Sequence, residues 1–274
     1  MAPYTALELV LFWFGLVAYA SAGATALGAL LARREQIPHF LRLFTALGAV
    51  AHFAFLTASA FRTHSCPMFH LFEACVFAAA VAAIAALVLD IRFDMPAITA
   101  VVSPLATVVS GTPYLTMFGT APQAIPESAT LPFHIALVAV AYSAFLVSFT
   151  AGVLYLLQER ELKRHSASVL VSALPSLEAT NTLNARAVMV GFVLLTVGLG
   201  FGFTRAAMLD RPILPDGRVL GGVVTWAFYG GLTAMRLVRG YHGRSAARMS
   251  VWSFAVAAFT MFGGTLLGSG VHHP

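Results

Sequence analysis

Histidines at two distant places in this chain have a setting that suits joint binding of a metal. His134 lies at the start of a long apolar stretch, and His272 and His273 lie just beyond the end of another. An imidazole at the edge of an apolar segment is costly unless it reaches water, a partner or a metal. If both places lie on one side of a membrane, they predict two axial ligands for the iron of a haem.

The same residues also have simpler interpretations, which the sequence leaves open. His134 is also explained as an interfacial side chain that reaches the lipid headgroups, and the C-terminal pair as a solvated tail. His52, in the second apolar stretch, is either a functional residue facing a cavity or a buried core histidine. Glu73, one turn inside the third stretch, needs a partner such as Arg62 or must be protonated.

The composition restricts the class of protein. Of 274 residues, 59% are hydrophobic and only 10% are charged, and the mean hydropathy is +0.84. These values predict an all-α polytopic membrane protein with a single transmembrane domain over residues 1–274. The net charge of +5 comes from basic residues in short turns rather than on one face, which argues against nucleic-acid binding.

Eight apolar stretches are long enough, or nearly so, to cross a bilayer as helices. They lie roughly at 7–31, 40–61, 70–90, 96–111, 131–157, 184–208, 219–239 and 249–268. The fourth is the least regular, because Pro104 interrupts it and a Ser-Gly-Thr-Pro string follows from Ser110. We therefore predict a bundle of about eight transmembrane helices.

The distribution of basic residues predicts the orientation of the bundle. Turns after odd-numbered stretches hold twelve of the 16 Lys and Arg residues, and such turns are typically cytoplasmic. Both termini are therefore predicted outside, together with the loops near 62–69, 112–130 and 209–218. This arrangement places His134 and His272 on the same outer side.

The outer loop around residues 210–218 carries charges of both signs. Arg211 and Arg218 are suited to clamp an anionic group such as a haem propionate, although the loop is also explained as a solvated turn. The chain contains no Cys-x-x-Cys-His string, so any haem would be held by ligation and packing alone.

Four segments resemble the cytochrome c assembly transmembrane proteins, a haem-handling superfamily with CcsA-like and HemX-like members. The segments are His64 to Phe77; His134-Ile135-Ala136-Leu137 with Ala141-Tyr142-Ser143; Leu174 to Glu178 with Leu183 to Arg186; and Thr225-Trp226 with Arg236 to Arg244 and Gly270-Val271-His272. The resemblance is clearest from about residue 40 onward, and the third segment is similar to the HemX-like branch in particular.

The resemblance implies that His134 and His272 are the two axial ligands of an external haem b, with His273 able to substitute. It aligns Asp216 with the aspartate of the family's tryptophan-rich outer loop. This chain departs from that pattern, because residues 210–221 contain no tryptophan. The intramembrane histidine usual in the seventh helix is replaced near Ala234.

The resemblance also implies a function and a location. We expect haem handling or delivery at the outer face of the bacterial inner membrane during cytochrome c biogenesis. The implied partners are haem and an apocytochrome c or another assembly subunit. One alternative is a non-catalytic HemX-like regulator of tetrapyrrole synthesis or an accessory subunit of a larger complex. Another is a small-solute transporter, which would rest only on the topology, His52 and Glu73.

Overall fold

Helices make up nearly all of the part of the chain that the computed structural model describes. That part comprises residues 4–32, 38–66, 70–116, 130–164, 175–208 and 217–268, and it contains no strand. Its eight helices are α1 (Ala6–Ala32), α2 (Pro38–Thr63), α3 (Leu71–Phe93), α4 (Pro96–Thr116), α5 (Thr130–Lys163), α6 (Leu177–Met208), α7 (Gly217–Arg239) and α8 (Arg244–Gly268). The predicted all-α fold class is thus confirmed.

Six of these helices, α1 to α6, have the length and apolar composition needed to cross a membrane. The protein is therefore a multi-pass membrane protein. Helices α7 and α8 contain 23 and 25 residues. They are long enough to span a hydrocarbon core of about 30 Å at about 1.5 Å per residue. Their crossing of the membrane, and the side on which the termini lie, stay predictions.

Two predicted helix boundaries were wrong. Helix α4 does not end near residue 111 but continues to Thr116, with Pro104 and Pro113 inside it. Proline is tolerated in membrane helices when neighbouring helices compensate for the lost backbone bond. Helix α6 begins at Leu177 rather than near residue 184. The Ser176 hydroxyl accepts a hydrogen bond from the Ala179 amide at 3.2 Å, so Ser176 caps this helix.

The helices form two rings of four. In the first ring α1, α2, α3 and α4 each contact the next helix, and α4 closes the ring on α1. Helices α5 to α8 repeat this arrangement, and α3 and α4 join the rings by packing on α5. Helix α3 suits this position because its buried face consists largely of alanines, which let helices approach closely.

Buried polar side chains link the helices within the apolar core, and many large apolar side chains face outward. The Thr45 and Ser103 hydroxyls join α2 to α4 at 2.8 Å, and the Ser143 hydroxyl of α5 reaches the Ala78 carbonyl of α3. Phe61 and Val238, in contrast, are 77% and 83% exposed. This is the arrangement expected of a protein whose solvent is lipid.

An ion pair joins α2 to α3 near the end that charge distribution assigns to the cytoplasm. The Arg42 guanidinium lies 2.6 Å from the fully buried Asp90 carboxylate and 3.7 Å from Asp94, which is almost fully exposed. Asp94 ends α3 in the left-handed conformation, with φ of 52°. The three residues therefore fix the turn into α4 as well as the α2–α3 contact.

Candidate functional site

His134 lies in the second turn of α5 and faces α6. Its Nδ1 atom is 2.6 Å from the carbonyl oxygen of Gly198, which belongs to the middle of α6. Because a carbonyl oxygen can only accept, Nδ1 must carry the proton and donate it. The imidazole is half-buried, so this bond fixes the ring at the edge of the α5–α6 contact.

This hydrogen bond leaves Nε2 as the atom able to bind a metal. In a neutral ring protonated at Nδ1, Nε2 has a lone pair, and no residue in the described part of the chain forms a hydrogen bond with it. Histidines that bind metals commonly donate the other ring N–H to a backbone carbonyl, which sets the tautomer and orients the ring. The local donor set of His134 thus fits an axial ligand of haem iron.

The absence of a side chain at Gly202 makes room for the His134 ring. A Cβ atom at Gly202 would lie 2.9 Å from Cε1 and 3.0 Å from Nδ1 of His134. Next to this notch, the Phe133 and Phe201 rings stack with centroids 6.3 Å apart and are both substantially exposed. The site is therefore a histidine held in a glycine notch beside an accessible aromatic pair.

The sequence suggests Arg62 as one possible partner of Glu73, but the two side chains do not pair directly. Its Oε1 atom accepts hydrogen bonds from the Ser59 hydroxyl at 3.1 Å and the Tyr4 hydroxyl at 3.3 Å. Arg62 instead pairs with Glu8, Nε to Oε1 at 2.7 Å. Of the two alternatives that the sequence left open, the structure does not show the direct basic partner, because hydroxyl groups from two neighbouring segments hydrogen-bond this carboxyl group.

Tyr4 connects these two carboxyl groups. The Arg62 guanidinium lies 5.9 Å from the centre of the Tyr4 ring, while the hydroxyl points to Glu73. Burial, followed by the nearby Glu73, raises the pKa of the Tyr4 phenol well above its usual range, so Tyr4 stays protonated as a donor. The network holds the starts of α1 and α3 to the end of α2.

His52 is fully buried between aromatic rings. Phe12 stacks on it at 5.7 Å with an interplanar angle of 8°, and Tyr19 meets it edge-on at 5.1 Å. Neither ring nitrogen has a well-aligned hydrogen-bond partner among the described residues. A Cβ atom at Gly15 would collide with the ring. Packing this close leaves no room for a porphyrin at His52 and favours its interpretation as a core residue.

Three of the predicted site residues, His134, His52 and Glu73, have described side chains, and they do not lie together. His134 belongs to the α5–α8 ring, whereas His52 and Glu73 belong to the α1–α4 ring, and no described hydrogen bond or ring contact joins either of them to His134. Arg218 is the second residue of α7, but its side chain lies outside the described part. Arg211, Asp216, His272 and His273 lie outside the described residues altogether.

One buried polar centre was not expected from the sequence. The Asn184 amide of α6 donates to the Ser148 carbonyl at 2.6 Å and the Ser250 hydroxyl at 2.9 Å, and its oxygen accepts from Arg236 of α7. Arg236 lies inside the last turns of α7 and is half-buried. The sequence signal that could have indicated this centre is the amide side chain of Asn184 within an otherwise apolar stretch.

These features define a class: a multi-pass helical membrane protein that presents a histidine at one end of a closely packed helix pair. The profile of the family described as Cytochrome C assembly protein matches residues 10–272. Because this match covers nearly the whole sequence, the chain belongs to that family. The family handles haem for cytochrome c, and its members are membrane proteins.

The chain is similar to cyanobacterial proteins named cytochrome c biogenesis protein CcsA. It is 24% identical over 259 residues to the protein of Synechococcus sp. (strain CC9605), covering 85% of each chain. It is 26% identical over 233 residues to that of Synechococcus sp. (strain RCC307), covering 75% of each. For the protein of Prochlorococcus marinus (strain MIT 9312), 26% identity extends over 166 residues, about half the length of that relative.

Proposed function

We propose that the protein binds haem b non-covalently at the outer face of the bacterial inner membrane, with His134 and His272 as axial ligands. In this proposal it handles or delivers haem during cytochrome c maturation, together with an apocytochrome c or another assembly subunit. The observation that carries the proposal is the His134 imidazole, whose Nδ1 is held by the Gly198 carbonyl while Nε2 is left for a metal.

The residues around His134 have separate tasks in this proposal. The Gly198 carbonyl selects the tautomer, and the notch at Gly202 sets the position of the ring. The exposed Phe133 and Phe201 rings offer an apolar surface beside the ligand, which suits a flat macrocycle. When bound, haem supplies the iron porphyrin that cytochrome c maturation attaches to the apoprotein.

The remaining members of the proposed site act at its polar rim. His273 adjoins His272 and would substitute for it, while Arg211 and Arg218 would neutralise propionates and Asp216 would orient a neighbouring donor. His52 and Glu73 have no direct part in this site, because their partners lie within the α1–α4 ring. The site is therefore built from the α5–α8 ring and its flanking segments.

The proposal is tested by the visible spectrum of the detergent-purified protein. We expect a Soret band with the bands of six-coordinate low-spin haem, and its loss or conversion to a high-spin form in His134→Ala and His272→Ala. His39→Ala is the matched control. His39 is an exposed histidine in the first turn of α2, on the side of the membrane opposite to the one predicted for His134. Haem content that is the same in all four proteins would refute the ligand assignment.

Delivery is tested separately by deleting the gene. Loss of holocytochrome c that wild type restores and His134→Ala does not would support a role in maturation. Normal holocytochrome c together with altered tetrapyrrole-enzyme abundance would instead favour the regulatory alternative. That alternative has one observation in its favour, namely that residues 210–221 lack the tryptophans of the family's outer loop.

A further inference from the structure

A basic cavity lies at the end of α5 remote from His134. It has a volume of about 490 Å³ and lies between the last turns of α5 and the first turns of α8. Its charged lining side chains are Glu159, Arg160, Lys163, Arg164, Arg244 and Arg248. Five cations therefore face one carboxylate, and nothing in the proposed haem site uses them.

The one carboxylate is already engaged. Glu159 lies 2.6 Å from the Lys163 ammonium and 3.4 Å from the Arg244 guanidinium. Arg160, Arg164 and Arg248 have no ion-pair partner within the described ranges of the chain. The cavity thus combines three guanidinium groups that no described carboxylate pairs with, and each is suited to bidentate binding of phosphate or carboxylate oxygens.

Helix electrostatics explain only three of these five cations. Arg160, Lys163 and Arg164 lie at the C-terminal end of α5, where the helix dipole favours cations. Arg244 and Arg248, in contrast, lie in the first two turns of α8, where the dipole disfavours them. They are also four residues apart, so they repel each other across one helical turn. An anion bound in the cavity would relieve both unfavourable terms.

The position of the cavity along the membrane normal indicates which anion it can reach. The apolar part of α5, residues 131–157, spans about 40 Å at about 1.5 Å per residue. This is close to the thickness of a bilayer with its headgroups, about 40–45 Å. Residues 159–164 therefore lie at the headgroup level, on the side that the positive-inside rule assigns to the cytoplasm.

We propose that this cavity binds a phosphate group, and specifically the headgroup phosphate of an anionic phospholipid of the cytoplasmic leaflet. Basic pockets between transmembrane helices on this side commonly hold anionic headgroups. The acyl chains would lie along the apolar surfaces of α5 and α8, where Leu157 and Trp252 are exposed. The proposal does not depend on haem binding.

The test is native mass spectrometry of the full chain in detergent with phosphatidylglycerol, phosphatidylcholine or inorganic phosphate. We expect wild type to retain phosphatidylglycerol in preference to phosphatidylcholine. The pocket variant Arg160→Gln/Arg248→Gln should lose about tenfold in phosphatidylglycerol occupancy. The matched control Arg92→Gln/Arg186→Gln removes the same charge from exposed positions predicted on the same side, and it should retain the lipid.

Two further measurements keep the result interpretable. The variant Arg160→Lys/Arg248→Lys keeps the charges and should retain more phosphatidylglycerol than the variant Arg160→Gln/Arg248→Gln. Circular dichroism must show that each variant is folded. Equal retention of both lipids by wild type, or an equal loss in the control pair, would overturn the proposal. Phosphate binding that needs Arg160 and Arg248, without any lipid preference, would overturn the lipid assignment in favour of a soluble phosphate.

Discussion

Replacing Gly202 with alanine should displace the His134 ring and weaken haem binding without unfolding the protein. The new Cβ atom would lie 2.9 Å from Cε1 and 3.0 Å from Nδ1 of His134. Carbon atoms at optimal separation are about 3.5–4.0 Å apart, so the ring must retreat by roughly 0.5–1 Å. The hydrogen bond from Nδ1 to Gly198, now 2.6 Å long, would be strained or broken.

The size of the effect follows from what this hydrogen bond does. Loss of one such bond costs about 1 kcal/mol, and loss of the partner that orients a metal-binding histidine typically costs about 10–100-fold in affinity. Alanine also favours a helix interior over glycine by about 0.5–1 kcal/mol. The two effects on stability nearly cancel, so we expect near-normal thermal unfolding together with at least about tenfold weaker haem binding.

Gly200→Ala is the control for this experiment. Gly200 lies on the same helix two residues before Gly202, and a Cβ atom there would meet no heavy atom within 4 Å. It gains the same helix propensity without touching His134. Both variants would be titrated with haemin and followed at the Soret band. Equal affinities for the two variants would refute the idea that the notch positions the ligand.

Two further predictions concern stability and orientation. Asp90→Asn should cost about 2 kcal/mol in the free energy of unfolding, because it removes the buried negative charge that faces Arg42. Asp94→Asn should change little, since Asp94 is 96% exposed and asparagine tolerates its left-handed backbone. Equal losses in thermal unfolding would contradict the burial argument. For the orientation, a membrane-impermeant maleimide should label Cys66 in intact cells. A cysteine introduced as Lys163→Cys in a Cys66→Ser background should be labelled only after permeabilisation. The opposite labelling pattern would refute the predicted orientation.

The sequence predicted the helical class well because the signal is simple. Apolar stretches of about 20 residues have few alternatives to membrane helices, so all eight helices were expected near their observed places. The wrong helix boundaries occurred where contacts between helices determine how far a helix continues. Pro104 was expected to disturb α4, but it packs against α1 beside Gly23 and the helix continues to Thr116.

The sequence offers candidate residues for a site but not their geometry. His134 was identified from its position at a helix edge, yet its bond to Gly198 depends on how α5 and α6 are rotated against each other. No local pattern specifies that rotation. Glu8 was missed, although the argument applied to Glu73 applies to it equally, because a carboxylate inside an apolar helix needs a partner. Only the folded arrangement decides which of the two carboxylates takes Arg62.

The two rings of helices differ in how their charged and metal-binding groups are paired. In the α1–α4 ring the buried carboxylates of Glu8, Glu73 and Asp90 all find partners within the ring. Substitutions there should therefore act on stability. In the α5–α8 ring, His134 offers a nitrogen lone pair at one end, and at the other the cavity offers guanidinium groups that no described carboxylate neutralises. Groups left available in this way are suited to ligands, so substitutions of these groups should change binding before they change folding.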